Sequence, residues 1–212
     1  MGRVTSVPAI AKWTAIAMLG FLLSCGGADP GDDDAAGLGE YRQANVLSEA
    51  EVGPASVEVR EAHRAALAIY DEAVASRDPK HPGYGRAREV WEPLAAAGDP
   101  ASTYHLGMLH MFGLGGADFD QLVAVRLIET AAENRFPPAQ TFMALLAERG
   151  EGIMVAADET LALEWYTHGA RGGHCAAVRR LVRAHENGEL GVAVDAGKAD
   201  EWRSRLDGCR KR

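Results

Sequence analysis

A repeat of 37 residues runs through most of the chain and limits the folds that it can adopt. Gly113-Leu114-Gly115 recurs 37 residues later as Gly150-Glu151-Gly152, and more loosely between Gly188 and Gly191. Bulky apolar residues recur at the same interval, each with an alanine three or four positions before it, at Trp91, Ile128, Trp165 and Trp202. Two α-helices of about 13 residues joined by short turns fill such a period. The sequence therefore predicts stacked helix-turn-helix units.

Within one unit the spacing of the residues is helical. Between Ser102 and Phe112, residues three and four positions apart share one helix face: Ser102, Leu106, Leu109 and His110. Asp99-Pro100 precedes this stretch with a cap and a first-turn proline, and Gly113 follows it with a residue suited to a left-handed helix end. A second helix is predicted over Gln121–Asn134, after two aspartates that can cap it.

These units resemble the Sel-1-like repeat family, which is related to the tetratricopeptide repeat. Leu106-Gly107 and Gly113-Leu114-Gly115 fit the family's first helix and turn, and Ala162 to Tyr166 fits its second helix. The segment Ala87 to Pro100 resembles a first-repeat variant, W-x-P-L-A-x-x-G-D, which accommodates Pro93. The resemblance covers residues 84 to 209. It implies an all-α fold, a right-handed α/α superhelix of about three and a half helix pairs with a polar C-terminal capping unit.

The first 24 residues have the features of an export signal. Arg3 and Lys12 precede an apolar run of eleven residues, which is too short to span a bilayer. The end of this run, Leu22 to Cys25, resembles the lipobox of bacterial lipoproteins, which implies cleavage before Cys25 and lipidation of its thiol and new amino group. Gly26, rather than an acid, follows the cysteine. In Gram-negative lipoproteins this pattern is typical of the outer membrane.

The remaining chain divides into three further segments. Residues 25–55 hold Cys25 and a run rich in Gly and Asp without an apolar period, so we expect a flexible acidic tether. Residues 56–83 are predicted to form a capping helix and a loop from Asp78 to Gly83. The helix has an apolar stripe made of Val59, His63, Ala66, Leu67, Tyr70 and Val74. Residues 84–212 contain the repeats and the capping unit.

The charge of the chain excludes one class of partner. The 212 residues carry 22 Lys and Arg against 30 Asp and Glu, a net charge of −8. Because two of the basic residues and none of the acidic ones lie in the signal segment, the mature chain is more acidic still, at −10. Such a chain repels phosphate backbones and anionic headgroups. We therefore expect no nucleic-acid binding, and membrane contact through the lipid anchor only.

No combination of residues predicts catalysis. The chain has no G-x-S-x-G, Walker or dinucleotide-binding pattern, and its glycine pairs follow helices rather than open them. His168, His174 and Cys175 lie near a predicted turn, where we interpret them as part of a solvated loop rather than as metal ligands. We therefore predict no enzyme, no metal and no cofactor.

Two cysteines are positioned to form a disulfide. Cys175 lies at the start of the last unit's first helix, and Cys209 at the end of its second. In an antiparallel helix pair these ends are neighbours, and an exported protein meets an oxidising compartment. The alternative is a pair of free thiols.

The remaining candidate site is a surface. In repeat stacks of this kind the first helices line a concave face, and the fourth, seventh and tenth positions of each are predicted to face the groove: His105, Met108, Met111, Phe142, Leu145, Glu148, Arg180, Arg183 and Glu186. Such a groove suits a peptide with an apolar and an acidic part. The alternative is that Phe142 and Leu145 pack between repeats.

The sequence thus favours a non-enzymatic, envelope-anchored scaffold that binds a protein or peptide. Two alternatives remain. One is a cell-envelope hydrolase, because some cysteine-rich relatives of the family resemble β-lactamases, although those proteins carry regularly repeated cysteine pairs that this chain lacks. The other is a purely structural envelope lipoprotein.

Overall fold

The computed structural model describes residues 56–150 and 156–209, which form eight α-helices and no strand. The helices are α1 Val57–Ser76, α2 Pro82–Ala96, α3 Pro100–Phe112, α4 Gln121–Glu133, α5 Pro137–Arg149, α6 Glu159–Arg171, α7 Cys175–Asn187 and α8 Ala196–Cys209. The all-α repeat fold predicted from the sequence is confirmed. The predicted signal peptide (1–24) and the lipidated Cys25 with its tether (25–55) lie outside the described residues.

Each helix packs against its neighbours in sequence, so that the chain runs up and down along a row of helices. The apolar residues form three clusters rather than one central core. The first lies between α1, α2 and α3 around Trp91, the second between α3, α4 and α5 around Ile128, and the third between α5, α6, α7 and α8 around Leu181. Stability therefore depends on contacts between adjacent helices, as in other repeat stacks.

Local sequence signals set the ends of the helices. The N–H of Ser102 donates to the Asp99 carboxylate at 2.8 Å, with Pro100 in the first turn of α3. The side chain of Asp120 caps α4 by accepting from two backbone N–H groups at 3.0 Å. At the other end, Gly113, Gly150 and Gly188 close α3, α5 and α7 with φ of 63°, 64° and 71°. In this left-handed region a Cβ is disfavoured, which accounts for the repeated glycine.

Helix α1 covers the N-terminal end of the stack. It buries Ala66, Leu67, Tyr70 and Ala73 against α2 and α3. The predicted loop from Asp78 to Gly83 is shorter than expected, because α2 already begins at Pro82. The reason is a cap that the sequence reading missed, in which the N–H of Gly83 donates to Nδ1 of His81 at 3.1 Å.

Helix α8 closes the other end of the stack. Among its described side chains, Ala199 is buried, Trp202 and Leu206 are partly buried, and the others are exposed. A polar outer face is typical of a terminal repeat, and none of the other described helices covers this side of α8. None of the described helices is long and apolar enough to cross a membrane.

The close packing of α3 on α4 leads to a stability prediction. A Cβ added at Gly107 would lie 2.8 Å from Ile128 and 3.0 Å from the carbonyl oxygen of Ala124. Gly107→Ala should therefore push the two helices apart and lower the free energy of unfolding by about 1–3 kcal/mol, measured by urea denaturation.

Gly208→Ala is the matched control. A Cβ at Gly208, in the last turn of α8, meets no atom within 4 Å. The better helix propensity of alanine should leave the stability unchanged or raise it by about 0.5 kcal/mol. Equal effects of the two substitutions would contradict a close approach of α3 to α4.

Candidate interaction surface

The structure separates the nine predicted groove residues into two groups. Four of them are between 0% and 7% exposed: His105, Met108, Met111 and Phe142. The other five are partly or fully exposed: Leu145, Glu148, Arg180, Arg183 and Glu186. The prediction of an open groove is therefore wrong for the first four residues.

Packing between repeats explains why the first group is buried. Met108, Met111 and Phe142 belong to the cluster that joins α3, α4 and α5, where they pack with Phe136 and Leu146. The large side chains fill the space that a groove would need. The alternative given for Phe142 in the sequence analysis is thus confirmed, whereas Leu145 remains partly exposed.

His105 is buried for a different reason. Its ring stacks on Trp91 at a centroid distance of 4.5 Å and an angle of 15°, and the His63 ring lies 5.3 Å away. Within the described part of the chain, neither ring nitrogen of His105 has a hydrogen-bond partner. Burial and the neighbouring His63 hold the pKa of His105 well below its ordinary value, so the ring is neutral.

The exposed group is organised around one ion-pair network. Arg180 donates from Nη2 to Glu148 and from Nη1 to Glu189, each at 2.6 Å, and the Tyr166 hydroxyl donates to Glu148 at 2.8 Å. Burial alone would raise the pKa of Glu148, but the bonds from Arg180 and Tyr166 outweigh it and lower that pKa. The same pairing raises the pKa of Arg180, although burial alone would lower it. The network therefore stays ionised and links α5, α6 and α7.

Two charged residues of α7 extend from this network towards solvent. The side chain of Arg183 is 52% exposed, with its Nε 3.4 Å from Glu189. Glu186, 44% exposed, pairs with Arg203 of α8. We call the surface formed by Leu145, Glu148, Arg183 and Glu186 the α5–α7 face. It presents both charge signs beside one apolar side chain, which suits a polar polypeptide segment.

A second cluster, between α1 and the start of α3, was not predicted. Nδ1 of His63 lies 3.0 Å from Oγ of Ser102 and 3.6 Å from Oδ2 of Asp99. His63 was assigned only to the apolar stripe of α1, and Asp99 only to a helix cap. Spacing along the chain gives no signal for a contact between residues 39 positions apart.

This cluster lacks the geometry of a hydrolytic triad. A triad uses one imidazole nitrogen for the serine and the other for the carboxylate. Here the same nitrogen, Nδ1 of His63, faces both groups. Ser102 is moreover 0% exposed, so a substrate carbonyl has no access to its hydroxyl. The arrangement is that of a structural contact rather than a nucleophile.

The turn before α7 differs from the solvated loop expected there. His174 is buried, and its Nδ1 lies 2.6 Å from Oγ1 of Thr141 on α5. Burial and, to a smaller extent, Arg179 lower the pKa of His174 to about 4. Among the described residues no group of three His, Cys, Asp or Glu side chains is placed to hold a metal ion. His174 thus joins two repeats.

Cys175, the first residue of α7, is disulfide-bonded. The side chain of its partner lies outside those that the structure describes. Cys209 ends α8, which packs against α7, and the remaining cysteine is Cys25. The pairing of Cys175 with Cys209 therefore stays a prediction.

Comparison with known proteins identifies the repeat. The family model for the Sel1 repeat matches residues 100–135 and 137–174. The first match contains α3 and α4, and the second contains α5 and α6. Helices α3 to α6 therefore form two Sel1 repeats, and the other described helices continue the same row. No curated protein matches the chain.

Two solved structures share the fold. A Sel1 repeat protein from Oxalobacter formigenes has a TM-score of 0.57 and 23% identity, and the match covers 70% of this chain and 54% of that chain. A protective antigen present in uropathogenic Escherichia coli strains, displaying an SLR fold, has a TM-score of 0.52 and 22% identity, covering 71% of this chain and 30% of that chain. This chain thus spans about half and a third of their lengths, and the likeness is one of fold.

The predicted disulfide between Cys175 and Cys209 can be tested by peptide mapping. Peptide mapping of the unreduced mature protein should show the Cys175 peptide linked to the Cys209 peptide, and reduction should separate the two. A Cys209→Ser variant should leave Cys175 open to alkylation and, in the chain-entropy description of a loop of about 34 residues, lower the stability by roughly 3–4 kcal/mol.

Two results would contradict the expected pairing. Alkylation of both cysteines without prior reduction would show that they are free thiols. A link from Cys175 to any other cysteine would show that the bond does not close the terminal helix pair.

Proposed function

We propose that this protein is a non-enzymatic scaffold of the cell envelope, which binds another protein or a peptide through the α5–α7 face. The observation that carries the proposal is the exposed pair Arg183 and Glu186, held beside a saturated ion-pair network in a stack of Sel1 repeats. Sel1 repeats typically serve in protein interaction, and the α5–α7 face adds side chains of both charge signs for recognition.

The ion-pair network makes the α5–α7 face suitable for binding, because it orders the side chains in advance. Arg180 is 11% exposed and bonded to two carboxylates, so its position is set before a partner arrives. A surface whose side chains are already ordered loses less conformational entropy on binding. Arg183 and Glu186 then act as the adjustable contacts at the edge of the site, where charges chiefly set specificity and the rate of encounter.

The N-terminal sequence supports the proposed place of this scaffold in the cell envelope. A lipid-modified Cys25 would anchor the chain in the outer membrane, and the acidic tether of residues 25–55 would separate the repeats from the bilayer. The partner is then a protein or peptide of the same compartment, and contact with the membrane runs through the lipid alone.

Affinity capture with charge-reversal variants tests the binding face. The full chain, with a C-terminal tag, is expressed in a Gram-negative host and recovered from solubilised envelopes after cross-linking. The test variant is Arg183→Glu with Glu186→Lys. The control is Arg126→Glu with Glu133→Lys, two exposed residues of α4. Both variants keep the net charge of the parent.

The expected result is a cross-linked protein that the parent and the control retain and the test variant loses. Equal retention by both variants would refute the α5–α7 face. If no protein is cross-linked to the parent, the proposed binding function is wrong and the purely structural alternative is favoured. Fractionation of the same cells tests the anchor, since the parent should sediment with the outer membrane and a Cys25→Ser form should not.

A further inference from the structure

The contact between α1 and α3 contains two histidines in an enclosed site. His63 extends from α1 to the start of α3, where Ser102 and Asp99 lie 3.0 Å and 3.6 Å from its Nδ1. Its side chain is 12% exposed. Behind it, His105 is fully buried against Trp91, and the two imidazole rings are 5.3 Å apart. The capping helix thus contacts the stack through a histidine pair as well as through its buried apolar side chains.

Of the groups around this pair, Asp99 favours a charged ring, whereas burial and the second imidazole favour neutral rings. The Asp99 carboxylate faces His63 from the turn between α2 and α3. Helix α2 contributes Trp91, which carries no charge, and Tyr70 of α1 and Tyr104 of α3 border His105 at 5.6 Å and 5.2 Å. One carboxylate therefore stands against two adjacent imidazoles, and a proton on either ring makes a proton on the other more costly.

The direction of the pH effect follows from these surroundings. Burial lowers the pKa of His63 more than Asp99 raises it, and burial with the neighbouring His63 holds the pKa of His105 well below 6.5. When α1 is detached, His63 leaves its enclosed site and His105 loses the His63 and Tyr70 rings that help to cover it, so the pKa of each ring moves towards the ordinary value of about 6.5. The detached state then holds more protons than the packed state, so acid favours detachment. The packing of α1 is strongest above pH 6.5 and weakens as the pH falls through that value.

We propose that α1 is an acid-releasable cap, which detaches from α2 and α3 when His63 and His105 are protonated. Release would expose the side of the first repeat that α1 now covers, including Tyr84 and Trp91, which are 3% and 0% exposed.

Hydrogen exchange measured by mass spectrometry tests the release. The full mature chain is labelled at pH 7.5 and pH 5.0, and the rates are corrected for the intrinsic effect of pH on exchange. In the parent, protection of α1 peptides should fall by at least about tenfold relative to α4 peptides, because each unit by which a pKa is depressed contributes up to a tenfold change.

Two substitutions assign the effect to the histidines. The double variant His63→Gln/His105→Phe has no imidazole at the contact between α1 and α3. Its phenyl ring at position 105 retains the stack on Trp91. This variant should keep α1 protection at pH 5.0 within about threefold of its value at pH 7.5. The matched control is His174→Asn, which removes another buried histidine, between α5 and α7. It should leave the release of α1 unchanged.

Several outcomes would overturn the proposal. Unchanged protection of α1 in the parent would do so, and so would an equal loss throughout α1 to α8, which would indicate global acid unfolding. If the double variant lost as much α1 protection as the parent at pH 5.0, the effect would come from groups other than His63 and His105. If that variant is unfolded at pH 7.5, the parent and the single variant His63→Gln, which should show a smaller loss than the parent, decide the question.

Discussion

The burial of each helix against its neighbours in sequence is the interaction on which the rest of this structure depends. No single core exists among the described residues; three apolar clusters follow one another along the row of helices. Small residues make this arrangement close, as at Gly107, where the Ile128 side chain and the Ala124 carbonyl leave no space for a methyl group. A stack built in this way has two open ends, and the chain covers them with α1 and the polar α8.

The same packing determines where a partner has access. Around α3 and α5, Met108, Met111 and Phe142 fill the space between repeats and close the expected groove. On α7 the corresponding positions carry Arg180, Arg183 and Glu186, whose charges require solvent or an ion pair. The surface therefore opens towards the C-terminal end of the stack, where side chains of both charge signs are exposed.

Most of the fold could be predicted because its signals are local. The helix ends are set within a few residues by Asp99-Pro100, Gly113 and Gly150. The period of 37 residues predicts how the units repeat. The predicted groove was less accurate. Counting positions along a helix says which side chains share a face, but the distance between repeats decides whether that face is covered. His105 is the clearest example, since its position predicted a groove and Trp91 instead covers its ring.

The contacts missed by the sequence reading join distant residues. His63 meets Ser102, and His174 meets Thr141 33 positions earlier, so neither contact leaves a pattern of spacing. A polar residue inside an apolar stripe was the available signal, because a buried imidazole needs a partner or a stack. His63 stood in such a stripe in α1.

The buried and exposed parts of the predicted groove can be compared most directly by oxidative footprinting of the folded chain. Hydrogen peroxide should leave Met108 and Met111 unmodified while the chain is folded, and hydroxyl radicals should modify Leu145, which is partly exposed. Oxidation of both methionines should begin only as the chain unfolds in urea. Oxidation of Met108 and Met111 in the folded protein at the rate of free methionine would contradict the account, because the groove would then be open along its whole length.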